Sequence, residues 1–185
     1  MNFNIGEASN LHIHYILVFT LLVLAVFDDI KSYKISNKIT IPFIAAGIIL
    51  NTVLEGLPGL CDSLLGIATP FILLFILFAL KMLGAGDIKL FCAIGSIMGV
   101  NFILYNLIYS FLLGGLIALI FMIARKNAYK RFKYLYLYCK RCILSFKIYP
   151  YSDGNKKDDS HFRFAYAIAC GTIVQLFNEN IFSFF

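Results

Sequence analysis

The chain has 185 residues, of which 61% are hydrophobic and 14% charged, with no tryptophan, a mean hydropathy of +0.84 and a formal net charge of +6. One domain accounts for that length, but a water-soluble globule of this size could not hide so much apolar surface. The composition therefore excludes a soluble enzyme or binding module and makes a bilayer the solvent.

The opening stretch "MNFNIGEASNLHIH" lacks a positive n-region, and no small-residue cleavage site follows the first apolar run. The N-terminus is expected to stay as an anchor and not to be removed as a signal peptide. Hydrophobic runs then follow at 11–27, 39–54, 64–80, 88–100, 102–124 and 162–177. They predict an all-α, polytopic membrane bundle of about six transmembrane helices, forming a single membrane-embedded domain over residues 1–185. Several runs fall short of the roughly 20 residues that span a bilayer core, so the alternatives are short buried helices, local thinning, or helix ends a few residues beyond the apolar run.

The basic residues set the orientation, because short cytoplasmic loops retain Lys and Arg. None of the 16 precedes Lys31; Lys31, Lys34 and Lys38 fill the first loop, Lys81 and Lys89 flank the third, and the rest lie between Arg125 and Arg163. With six spans all of them fall on one side, while Glu7, Glu55, Asp62 and Glu179 fall on the other. The expected topology is a prokaryotic plasma-membrane protein with its N-terminus outside. Basic loops apposed to anionic lipid explain the positive charge without nucleic acid as a partner.

The sizeable non-membrane element is the basic loop over 125–161. Its first half mixes Tyr, Phe and Leu with Lys and Arg, as a helix lying in the headgroup plane would, and "SDGNKKDDS" reads as a polar turn. Within it, Cys139 and Cys142 have the spacing of half a zinc site or a redox pair. With no second pair and no suitable His nearby, two incidental thiols are the simpler reading. His12, His14 and His161 are divided between membrane faces, so no metal or other cofactor is expected. "GSIMG" (95–99) and "LLGGL" (112–116) put small residues where helix backbones can approach closely in lipid.

"GAGDIKL" (84–90) places two glycines, a carboxylate and an ammonium between apolar runs. Alone, Asp87 reads as a helix N-terminal cap, with Gly84 and Gly86 permitting the turn. However, "FDDIKSYKISNKITIP" (27–42) puts Asp28 and Asp29 where the first helix leaves the membrane, on the side where the fourth begins. Asp29 and Asp87 are thus expected at one depth on one side. Two carboxylates that approach closely resist double ionisation, so the pair offers an acid and a base together. Such a pair can deprotonate a water for attack on a peptide carbonyl while donating a hydrogen bond to the developing oxyanion.

On these residues the chain resembles the type IV prepilin peptidases, polytopic aspartyl proteases with a Gly-x-Gly-Asp motif. "GAGDIKL" matches the second motif throughout, and "DIKSYKISN" keeps the spacing from Asp29 to Ile35 and Asn37, with Ser36 where the family has proline. "FRFAYAIACG" (162–171) is similar to the last-helix segment, without its usual proline. The resemblance selects Asp29 and Asp87 as the catalytic pair. Gly84 and Gly86 would serve close backbone approach, Asn37 would fix the loop, and Lys89 would act on lipid or substrate electrostatics. It implies cleavage of the basic leader from prepilin-like precursors at the cytoplasmic face, for pilins of the tight-adherence or competence type. Larger members carry an N-terminal domain with paired cysteines associated with methylation; only about ten residues precede the first helix here, so cleavage without methylation is expected. The competing expectations are a preflagellin peptidase or another Gly-x-Gly-Asp protease and, from a different class, a small cation carrier using the Asp pair.

Overall fold

The computed structural model describes residues 5–32, 35–80, 82–124 and 164–182. The 125–161 loop, with its expected interfacial helix and Cys139 and Cys142, lies outside the described residues. Among the described residues the chain is all-helical, in the order α1 (Ile5–Ser32), α2 (Asn37–Glu55), α3 (Leu57–Ala79), α4 (Ala85–Ala124) and α5 (Phe164–Phe182). α1 to α4 are long and apolar enough to cross a membrane, and α5 contributes a shorter apolar segment, Phe164–Asn178.

Most helices extend beyond their apolar runs at one end or both, which resolves the shortness of those runs. α3 begins at Leu57 and carries Cys61, Asp62 and Ser63 inside it. α2 and α3 are joined through Gly56 alone, whose φ of +70° suits a residue without a Cβ and whose N–H closes α2 on the Thr52 carbonyl at 3.0 Å. α2 starts at the N-cap Ser36, whose Oγ accepts from the Lys38 N–H at 3.2 Å.

At 40 residues, a straight α4 would run about 60 Å, roughly twice a bilayer core. It is not straight, because Gly99 leaves helical geometry at φ +83°, ψ 178°. The Phe164 ring lies 6.3 Å from Phe91 and 5.4 Å from Phe111, centroid to centroid. A straight helix would hold Phe91 and Phe111 roughly 30 Å apart. The chain therefore reverses at Gly99, and 85–98 and 100–124 run side by side as two helices. The break expected between residues 100 and 102 falls at Gly99, which gives six helical segments among the described residues.

A reversal inside a membrane exposes helix-end backbone groups that water cannot reach. Neighbouring helices supply the partners. The Ser96 and Ile97 carbonyls accept from Asn51 Nδ2 at 3.1 and 3.2 Å, and Ser63 Oγ donates to the Ser96 carbonyl at 2.9 Å. Across the break the Val100 N–H donates to Asp62 Oδ1 at 3.1 Å. His14 Nε2 lies 2.7 Å from Asn51 Oδ1, tying α1 into the same cluster. The polar residues that interrupt the apolar runs are thus the ones that close the reversal.

The core is built on the 85–98 half. Leu90, Phe91, Ala93 and Ile94 are fully buried, packed with Val18, Leu21 and Ala25 of α1 and Ile168 of α5. Gly66 of α3 and Gly95 of α4 meet backbone to backbone, so that a Cβ on either would overlap the other's carbonyl. On the far side, Asn106 donates to Thr172 Oγ1 at 2.9 Å and Gln175 to the Phe102 carbonyl at 2.9 Å, joining 100–124 to α5 through hydrogen bonds sheltered from lipid.

Candidate active site at the α1 and α4 termini

The end of the bundle opposite the Gly99 reversal holds the sequence motifs. α1 brings Asp28 and Asp29 to its last turns, and Lys31 follows. Asp29 is 8% exposed, and its neighbours Ala25 and Ile35 are buried as well. After α1 ends at Ser32, Ile35 and the cap Ser36 lead into α2 at Asn37.

Asp87 lies in the first turn of α4. Its own N–H donates to the Gly84 carbonyl at 3.2 Å, and its carboxylate accepts the Gly84 N–H. This is the return half of a capping box, with an aspartate at the third helical position reaching back to the cap residue's N–H. The cap reading of Asp87 and the paired-carboxylate reading are not exclusive, since the same carboxylate is close enough to Asp29 to feel its charge. A side chain held by its own backbone presents its remaining lone pairs in a fixed direction.

The two motif glycines leave room for different neighbours. A Cβ on Gly84 would stand 3.1 Å from Asp87 Oδ2, inside the space of the carboxylate. A Cβ on Gly86 would stand 3.2 Å from the backbone N and the Cβ of Ile35, so it is the α1–α2 link that Gly86 admits. Lys89, half-buried, donates from Nζ to Asn37 Oδ1 at 2.6 Å, joining the starts of α4 and α2. The structure thus brings together every residue singled out from sequence: Asp29, Asn37, Gly84, Gly86, Asp87 and Lys89. Lys89 bonds Asn37 instead of facing lipid or solvent alone.

Two participants were not legible in the motifs. Asp28 Oδ2 accepts the Ser36 N–H at 2.6 Å across the α1–α2 link, and Ile35, 7% exposed, fills the space over Gly86. The nearest signal was Ser36 as an N-cap residue shortly before the apolar run, which marks a backbone N–H needing an acceptor but does not say which residue supplies it. Among the described residues no group of three or more His, Cys, Asp and Glu could hold a metal ion.

Two aspartates from different helices thus lie at one end of the bundle, beside the Gly-Ala-Gly-Asp turn, within the stretch that a family comparison matches. The model of the type IV leader peptidase family matches residues 16–119, more than half of the chain and the whole of the site just described. The prepilin leader peptidase/N-methyltransferase of Bacillus subtilis (strain 168) is 33% identical over 106 residues, which is 55% of this chain and 41% of that protein. The chain therefore spans less than half the length of this curated relative. No solved structure gives a significant match. On the family match and the helical architecture that carries it, this multi-pass membrane protein belongs to the type IV leader peptidase family.

Proposed function

We propose that the chain is a membrane aspartyl endopeptidase that removes the leader of type IV prepilin-like precursors at the cytoplasmic face, with Asp29 and Asp87 as the catalytic pair. The observation that carries this reading is the convergence of the two carboxylates, 58 positions apart in sequence, at one end of the bundle within electrostatic reach of each other. The single domain over 1–185 would comprise the helical bundle together with the 125–161 loop.

The chemistry follows from sharing one proton between two acids. The ionised carboxylate takes a proton from a water whose oxygen attacks the scissile carbonyl; the protonated one donates a hydrogen bond, then its proton, to the carbonyl oxygen as the carbonyl carbon becomes tetrahedral. Collapse breaks the C–N bond, the amine leaves with a proton, and the carboxyl of the leader is released. Asp87, held by the Gly84 N–H, is the more rigid partner, and Asp29 is the one whose direction depends on how α1 sits.

A precursor with a basic leader and one apolar helix would lie in the bilayer with its scissile bond at the interface. The lysines near the site, Lys31, Lys38 and Lys89, favour the cytoplasmic side for this end of the bundle. The test is coexpression with a pilin-like precursor, reading the gel shift of the processed product. Wild type should process it, and Asp29→Asn and Asp87→Asn should not, at equal membrane levels. Processing by either variant would sink the aspartyl mechanism and leave the carboxylates as candidates for cation binding.

A further inference from the structure

We infer that Asp28 is a positioning residue that aims Asp29 at Asp87, by acting as the missing acid of the α2 capping box. The inference rests on the carboxylate-pair reading above.

In a capping box the side chain at the third helical position returns to the N–H of the cap residue. For α2 the cap is Ser36 and the third position is Ile39, which has no acceptor. The Ser36 N–H is nevertheless satisfied, at 2.6 Å, by Asp28 Oδ2 from the last turns of α1. The box is completed between helices, and a contact that ordinarily stabilises one helix end here fixes two helices to each other.

The position of α1 depends on such contacts. Its buried face is a narrow apolar stripe, Val18, Leu21, Leu22 and Ala25, which resists separation from the bundle far more than rotation or sliding along it. Polar contacts to α2 pin it near each end, His14 to Asn51 at 2.7 Å and Asp28 to the Ser36 N–H at 2.6 Å. Asp28 and Asp29 project about 100° apart around the helix axis, so holding the first toward α2 fixes the direction of the second. The same bond holds Ser36, and with it Ile35, against Gly86, one residue before Asp87. Asp28 therefore acts on both members of the pair: on Asp29 through the helix they share, and on Asp87 through the Ile35–Gly86 contact.

The role requires an acceptor and not a charge. Asp28→Asn keeps an oxygen that can accept the Ser36 N–H, whereas Asp28→Ala removes it. Using the full chain in detergent and a pilin-like precursor with a basic leader, Asp28→Ala is expected to lower kcat roughly ten- to a hundredfold with KM within about twofold, since a misplaced reacting group costs on that scale. Asp28→Asn should keep at least about a third of wild-type kcat. Hydrogen exchange of the segment starting at Ile35 should quicken in the Ala variant and stay protected in the Asn variant, a readout independent of cleavage. Asp28→Ala with wild-type kcat, or Asp28→Asn as impaired as Asp28→Ala, would overturn the assignment. Asp29→Asn and Asp87→Asn run alongside separate the two failures. If they still cleave, the carboxylate-pair reading falls whatever Asp28 does; if they are inactive and Asp28→Ala is not impaired, the positioning role falls alone.

Discussion

Both halves of α4 start under a carboxylate. At 85–98 it is Asp87, reaching back within its own helix to the Gly84 N–H; at 100–124 it is Asp62, reaching over from α3 to the Val100 N–H. As caps the two are alike, since each supplies an oxygen to a backbone donor that lipid would leave unsatisfied. They differ in company. Asp62 stands at the reversal, beside an Asn51, Ser63 and His14 cluster whose hydrogen bonds are spent on one another and on the Ser96 and Ile97 carbonyls. Asp87 stands within reach of the Asp29 charge. A carboxylate beside satisfied amides and hydroxyls is a structural acceptor; the same group beside a second carboxylate has a proton to exchange.

The sharpest way to break that comparison is one substitution made twice. Asp87→Asn should cut cleavage by about a thousandfold or more, because an amide cannot exchange the proton that acid–base chemistry requires. Asp62→Asn keeps an accepting oxygen for the Val100 N–H and should leave kcat within about threefold of wild type. An Asp87→Asn variant as active as Asp62→Asn would show that Asp87, like Asp62, supplies a cap and not proton transfer.

The next effect is on stability. Gly99→Ala places a side chain at φ +83° and drives its Cβ into the Asp62 carboxylate. It should destabilise the bundle by about 2–3 kcal/mol, the scale of a strained non-glycine residue. Thermal unfolding in detergent would report this as a lowered Tm. Asn51→Leu should cost about 1–2 kcal/mol, since it strips partners from His14, Ser63 and two carbonyls while a bilayer-embedded reference state recovers part of the loss. For both, kcat per folded molecule should stay near wild type, which places the reversal outside the chemistry.

Smallest is Lys89→Met, which removes the 2.6 Å bond to Asn37 but keeps the apolar stem. A few-fold loss of kcat, with Tm within a degree or two of wild type, is expected from a contact that orients two helix starts at a partly exposed position. A loss as large as that of Asp87→Asn would move Lys89 into the catalytic machinery.

Much of the architecture was legible because in lipid the apolar run and the helix nearly coincide. Departures occur where polar residues are buried. Cys61, Asp62 and Ser63 stand before the third run in the sequence yet lie inside α3, since the partners of Asp62 and Ser63, the Val100 N–H and the Ser96 carbonyl, come from far along the chain. For the same reason the reversal at Gly99 could be placed only to within a few residues: a glycine among small residues signals close packing as readily as a turn. In the site, Asp29 and Asp87 could be paired through topology and resemblance, because both helix ends face the basic side. Asp28 and Ile35 could not be assigned, as their contacts depend on a hydrogen bond to backbone and on space left by a glycine, neither of which has a side-chain pattern of its own.

The reversal at Gly99 turns on a single residue, so 85–98 and 100–124 form a hairpin with no loop between them. The helix-end backbone exposed at that turn needs partners wherever water cannot reach it. Those partners, Asn51, Asp62 and Ser63, all belong to segments that leave the ribosome earlier. The order of synthesis thus delivers the cap before the hairpin that depends on it.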